Sequence, residues 1–292
     1  MKKSIVLFLS LLTAAGLMTG CAGTSGNPES VQADTAESTE KTDKAEKTEL
    51  IVFAAASMTE TLTELGNAYM EEHSGISLIF NFDSSGTLKT QIQEGAPCDI
   101  FISAGQLQMN QLDINADSEV NTEGLDFVKE DTRFDILENK VTLVVPEGNP
   151  AGIESFEDLR DRLEDHSVLM AMGNADVPVG QYTQKILEYY GLSEDELASA
   201  GCIPYGSNVK EVTTQVSEAA ADCGIIYATD AFSAKLTVAD TAAADMCGQV
   251  IYPAAVLNVS ENPEEAQDFL DYLTGEEADT VFERVGFTPI GN

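Results

Sequence analysis

The chain has 292 residues, enough for two modest domains, and carries 15 basic against 50 acidic side chains for a formal net charge of −35. That balance excludes nucleic acid and an anionic membrane face as partners. It does not exclude an anionic ligand, because exposed charges are screened beyond about 8 Å at physiological salt while a closed pocket answers to its own dipoles.

Lys2 and Lys3 precede an apolar stretch from Ile5 to Leu17. Residues 1–20 therefore read as a secretory signal, too short and wrongly flanked to span a membrane. The small residues before Cys21 resemble a bacterial lipobox, after which the cysteine becomes a lipidated N-terminus. The expectation is a protein anchored by lipid rather than spanning, on the extracytoplasmic face of a bacterial membrane. Residues 21–49 hold almost no large apolar side chains and read as a disordered tether, with folding beginning near Leu50.

Leu50 to Phe53 is an uninterrupted apolar run, expected of a buried strand. Beyond it Met58, Leu62, Leu65 and Tyr69 form one stripe of an amphipathic helix. Ser57 falls on the turn between them, and Ser57-x-x-Glu60 has the form of a capping box. Such a turn offers a hydroxyl, unpaired N–H groups and the positive end of a helix dipole, which together seat an anion. Plain capping explains the same residues.

The alternation continues. Ile76 to Phe82 reads as a strand, followed by Ser84-Ser85-Gly86 and a helix through Leu88 and Ile92. Asp99 to Ile102 is a strand, with a helix through Leu107 and Leu112 beyond it. The polar, acidic residues 115–135 carry little pattern. Val141 to Pro146 is a strand, and Ser155-x-x-Asp158 opens a helix. The strand Val168 to Met172 leads through Pro178-Val179-Gly180 into a helix with Tyr182, Ile186 and Tyr189 inward. Ser193-x-x-Glu196 caps a short helix, and Asn208 opens one whose stripe is Val209, Val212 and Val216. Gly224 to Tyr227 and Val250 to Leu257 are strands, and two helices ending at Gly286 close the chain. Strands alternating with helices over short connections mark an α/β protein with mostly parallel sheets.

The two histidines, His73 and His166, sit in charged runs, and no Gly-x-Ser-x-Gly elbow or Gly-rich phosphate loop is present. Carboxylates are too abundant for any pair to be informative. Cys98, Cys202, Cys223 and Cys247 show no CxxC spacing, which removes the simplest zinc and redox sites and leaves disulfides or free thiols open. What recurs is the strand-to-helix turn with small or hydroxylated residues, at Ser57, Ser85, Val179 and Val209. In an open α/β sheet these turns lie at the carboxyl ends of strands, where ligands bind.

The runs Val52-Phe53-Ala54-Ala55-Ala56-Ser57, Phe82-Asp83-Ser84-Ser85-Gly86-Thr87-Leu88 and Gly95-Ala96-Pro97-Cys98-Asp99-Ile100-Phe101-Ile102 resemble the molybdate-binding proteins of ABC transporters. So do Val177-Pro178-Val179-Gly180-Gln181-Tyr182, Gly224-Ile225-Ile226-Tyr227-Ala228-Thr229-Asp230 and Tyr252-Pro253-Ala254-Ala255-Val256, and the likeness runs from Leu50 to the end of the chain. The resemblance implies a two-lobed periplasmic-binding-protein fold of type II, with residues 50–137 plus 252–292 as one lobe, 138–251 as the other and two hinge crossovers. It implies a monomeric receptor without catalytic residues or cofactor, which hands molybdate or tungstate to a membrane permease. Molybdenum enters as the oxyanion, with no direct protein ligand to the metal. The binding residues it implies are Ser57 and Ser85, each through its hydroxyl and its backbone N–H, Val179 and Val209 through their backbone N–H groups, and Tyr227 through its phenol. Two other readings stay open: a receptor for another tetrahedral oxyanion such as sulfate, and a serine hydrolase using Ser57 or Ser85.

Overall fold

The computed structural model describes residues 47–290. The signal segment, the lipidation cysteine Cys21 and most of the tether lie outside the described residues. The chain opens with β1 (Thr48–Ala55), α1 (Thr59–Glu72), β2 (Ile76–Asp83), α2 (Ser85–Gln93), β3 (Ile100–Ile102), α3 (Gln106–Asn110) and β4 (Phe134–Asn139). It continues through β5 (Val141–Val145), α4 (Phe156–Glu164), β6 (Met170–Gly173), α5 (Pro178–Tyr189), α6 (Glu194–Ser199), β7 (Tyr205–Gly206), α7 (Val209–Ser217), β8 (Cys223–Tyr227) and α8 (Ala228–Ala234). It ends with β9 (Thr237–Thr241), α9 (Ala244–Cys247), β10 (Val250–Val256), α10 (Pro263–Tyr272), α11 (Glu276–Val285) and β11 (Thr288–Pro289).

Two sheets result, in the strand orders β11-β4-β10-β3-β1-β2 and β7-β6-β8-β5-β9. The fold is two-lobed, but the sheets are mixed rather than mostly parallel. β1 runs parallel to β2 and β3, whereas β10 is antiparallel to both β3 and β4. In the second sheet β6 is parallel to β7 and β8, whereas β5 is antiparallel to β8 and β9. The reason lies in the crossings. β4 carries the chain out of the first sheet and β10 brings it back, so these neighbours must run in opposite senses. Asn139 ends β4 and Val141 begins β5, so the outward crossing is Lys140 alone. Its carbonyl accepts the Ala228 N–H at 2.9 Å.

Pairing begins before the expected Leu50, because Thr48 and Glu49 already oppose Ile76 and Ser77. A backbone ladder does not depend on side-chain polarity. Within α5, Tyr182 and Ile186 are buried, but Tyr189 is 52 % exposed. The i, i+4 row through Tyr182 and Ile186 reaches Tyr190, which packs on the core, and leaves Tyr189 facing out. The four cysteines in the described residues are buried free thiols. Apolar packing is continuous from the first lobe to the second through Tyr227 and Tyr252, whose rings meet edge to face at 5.9 Å.

Candidate functional site

Four strand-to-helix turns converge where the lobes meet. Between β1 and α1 a short 3-10 turn, Ala56–Met58, tips Ser57 off the helix axis, so Ser57 does not cap α1. The cap position belongs to Met58, which makes no side-chain cap bond. The expected capping box is thus absent, and the Ser57 hydroxyl instead meets the Tyr252 phenol at 2.9 Å. At the next turn the two serines divide the work. Ser84 caps α2, its oxygen accepting the Thr87 N–H at 3.1 Å. Ser85 is fully buried and accepts the Ala104 N–H at 2.9 Å. From the second lobe, α5 starts with Pro178, a residue suited to the first helical position. Asn208 caps α7 through its side chain. Val179 and Val209 therefore lie in first helical turns, where N–H groups lack intrahelical acceptors.

Ser57, Ser85, Val179, Val209 and Tyr227 all line one cavity of about 10 Å³. That is close to the ~10–15 Å³ in which one water-sized body fits, so in this conformation the walls admit a single small group and not a sugar or peptide. No lysine, arginine or histidine lines it among the described residues. Burial first, then the neighbouring phenol of Tyr252, drives the Tyr227 pKa well above the ordinary tyrosine value. Tyr227 is thus a neutral O–H donor. At 3.5 Å from the Ala104 carbonyl its hydroxyl reaches across the lobes.

Around the cavity the lobes touch at small or polar points. Gly86 faces the Asp176 backbone so closely that an added Cβ would overlap its carbonyl. Asn208 donates to Asp83 at 3.3 Å, and Gln108 donates to Gln181 at 3.2 Å. Lys210, next to Val209, lies 2.8 Å from Glu60 of the first lobe and 3.2 Å from the fully buried Asp230 of its own. Burial raises the Asp230 carboxyl to about 6, with Lys210 holding it down. Burial presses the Lys210 ammonium down, but Asp230 and Glu60 outweigh it and leave it above the ordinary lysine value.

Sequence reasoning missed four participants: Asp83 in the cavity wall, Asn208 against it, and Tyr252 with Asn139 behind Ser57. Asp83 had a local signal, since it immediately precedes the Ser84-Ser85 pair at the same turn. The other three depend on contacts between residues far apart in sequence. Neither histidine lines the cavity. His73 stacks on Tyr69 beyond the far end of α1, and His166 is an exposed residue in a left-handed turn.

Residues 50–288 match the family model described as bacterial extracellular solute-binding protein. The molybdate-binding protein ModA of Haemophilus influenzae is 32% identical over 247 residues, covering 82% of this chain and 90% of that one. YvgL of Bacillus subtilis, provisionally named an ABC transporter substrate-binding lipoprotein, is 32% identical over 290 residues, 99% of each chain. In structure, the periplasmic molybdate-binding protein of Azotobacter vinelandii superposes with a TM-score of 0.68 at 21% identity, over 82% of this chain and 98% of that one. No helix among the described residues is long and apolar enough to cross a membrane. The chain belongs to the family of bacterial extracellular solute-binding proteins, and molybdate-binding proteins are among its relatives.

Proposed function

We propose that this protein captures molybdate, and tungstate as well, between its lobes and hands it to an ABC permease while Cys21 holds it to the membrane by lipid. The observation that carries the reading is the assembly, from both lobes, of five neutral donor residues around one small cavity lined by no cationic side chain. A dianion that stays unprotonated at neutral pH needs donors and nothing else. Hydrogen bonds to a charged group are worth ~1.5–3 kcal/mol each, so about seven of them, less desolvation and closure, are enough for micromolar binding or better. Size separates molybdate from sulfate, because a cage spaced for the larger tetrahedron holds the smaller one with stretched bonds. Molybdate and tungstate are nearly equal in size and share the site.

Titration calorimetry on the mature protein tests this. Micromolar heat with molybdate and tungstate and none with sulfate is the expected result, and equal sulfate affinity would reduce the protein to a general oxyanion receptor. One observation favours a second reading. The Asp83 carboxylate lines the cavity and could accept a proton from hydrogen phosphate. Its Oδ1 already receives the Ser84 N–H at 2.7 Å and the Asn208 amide at 3.3 Å, which is the behaviour of a clamp between lobes. Phosphate binding tighter than molybdate would reverse that assignment. Labelling of Ser57 or Ser85 by a fluorophosphonate would instead make the protein a hydrolase.

A further inference from the structure

Behind Ser57, outside the cavity wall, lies a chain of buried polar groups whose hydrogens can be placed by elimination. Asn139 is 3 % exposed and Tyr252 is fully buried. The Asn139 Oδ1 accepts the Lys140 N–H at 2.8 Å, so the amide cannot be turned round without setting two donors face to face. Its Nδ2 therefore donates to Thr229 Oγ1 at 3.0 Å and to the Tyr252 phenol oxygen at 3.2 Å. Tyr252 has one hydrogen of its own. Among the described residues, only the Asn139 Nδ2, which is a donor, and the Ser57 Oγ at 2.9 Å lie within hydrogen-bond reach of its oxygen. A buried O–H left without an acceptor costs about 1–3 kcal/mol, so the phenol hydrogen goes to Ser57. The Ser57 oxygen is then engaged as an acceptor, and its own hydrogen is turned toward the cavity.

We propose that Tyr252 is a positioning residue, which, oriented by Asn139, holds Ser57 as a hydrogen-bond donor to an unprotonated oxyanion and denies a protonated one an acceptor there. The inference rests on the reading of the cavity as an oxyanion seat. Ser85 shows the same device in simpler form, because the Ala104 N–H occupies its oxygen from the backbone. Among the described residues no backbone N–H donates to the Ser57 oxygen, which takes a side-chain donor from 195 residues away. The bulge in the ladder between β10 and β4 falls at Tyr252 and Pro253, where a register shift can aim a side chain off the regular sheet. A donor that is itself receiving a hydrogen bond is also the stronger donor, so the chain adds affinity as well as direction.

The test is a double-mutant cycle on the mature protein with sodium molybdate as the probe. Wild type must bind molybdate; if it does not, the receptor reading fails and the relay is not reached. Given binding, Tyr252→Phe is expected to weaken molybdate about tenfold, and to change affinity less than about twofold when introduced into Ser57→Ala. Losses that add in the double variant, or a Tyr252→Phe affinity equal to wild type, overturn the proposal. Direction is read with arsenate, which carries a proton at neutral pH. The preference for molybdate over arsenate is expected to narrow in Tyr252→Phe, whereas proportional loss of both anions would mean a purely structural role. Should Tyr252→Phe not fold, Asn139→Ser withdraws the N–H from the phenol oxygen and goes through the same cycle. Its smaller loss must likewise disappear without the Ser57 hydroxyl, and persistence there overturns the relay.

Discussion

On the proposed reading, the two walls of the cavity present donors by different means. The first lobe adds side chains to its backbone N–H groups, the hydroxyls of Ser57 and Ser85; the Ser85 oxygen accepts the Ala104 N–H, and on the relay proposed above the Ser57 oxygen accepts from Tyr252. The second lobe uses backbone at the starts of α5 and α7, with the Tyr227 phenol as its one side-chain donor. Backbone donors survive substitution, and valine at positions 179 and 209 serves for its N–H and its packing. Hydroxyls do not survive, and their direction depends on what stands behind them. The first wall is therefore open to chemical change by substitution, whereas the second yields mainly to changes of distance.

The largest effect should come from holding the walls apart. Gly86 sits in α2 with nothing unusual in its backbone, so Gly86→Ala favours the helix by up to about 1 kcal/mol. Its new Cβ would nevertheless overlap the Asp176 carbonyl of the other lobe. The expected outcome is a protein at least as stable as wild type that binds molybdate at least a hundredfold more weakly (about 2.7 kcal/mol). Calorimetry paired with small-angle scattering reads this, and unchanged affinity with normal compaction would show that Gly86 and Asp176 are not a closure contact. Next come Ser57→Ala and Ser85→Ala, each expected to cost about tenfold or more in affinity. The melting temperature without ligand should fall little. If both variants bind like wild type, the anion is held elsewhere.

How much of this was legible in the sequence follows the same division. The turns at Ser57, Ser85, Val179 and Val209 announce themselves locally, by an apolar run giving way to small or hydroxylated residues and then to helical spacing, whereas Tyr227 came only with the family resemblance. The role of each hydroxyl did not announce itself. Ser57-x-x-Glu60 has the form of a capping box, yet the intervening 3-10 turn places Ser57 one residue too early to cap α1. β4 was missed at the end of the acidic stretch because its FDILEN sequence offers only three apolar residues, interrupted by Asp135 and followed by Glu138 and Asn139. It is a strand because β10 and β11 flank it on both sides. Tertiary pairing of this kind overrides local propensity.

The smallest effect on binding is expected at the rim, where Lys210 joins Glu60 across the lobes and Asp230 beneath it. The outer half of this bridge is half-buried at Lys210 and exposed at Glu60, at 31% and 52%, and such solvent-reached pairs contribute under about 1 kcal/mol. Lys210→Met should therefore weaken molybdate no more than about fivefold. Stability is a different matter, because the Asp230 side chain is fully buried. Burial lifts its folded pKa from 3.8 to about 6, so the folded chain holds that proton more tightly than the unfolded one. Stability from this carboxyl is thus present at low pH and is lost as pH rises toward and through about 6, where the ammonium of Lys210 offsets the new charge. Removing Lys210 takes away the offset and raises that folded pKa further. The melting-temperature penalty of Lys210→Met should be slight near pH 5, deepen toward about pH 8, and disappear when Asp230→Asn is added. A penalty that does not change with pH would mean that Lys210 acts through the packing of its stem, and that Asp230 is neutralised by something other than this ammonium.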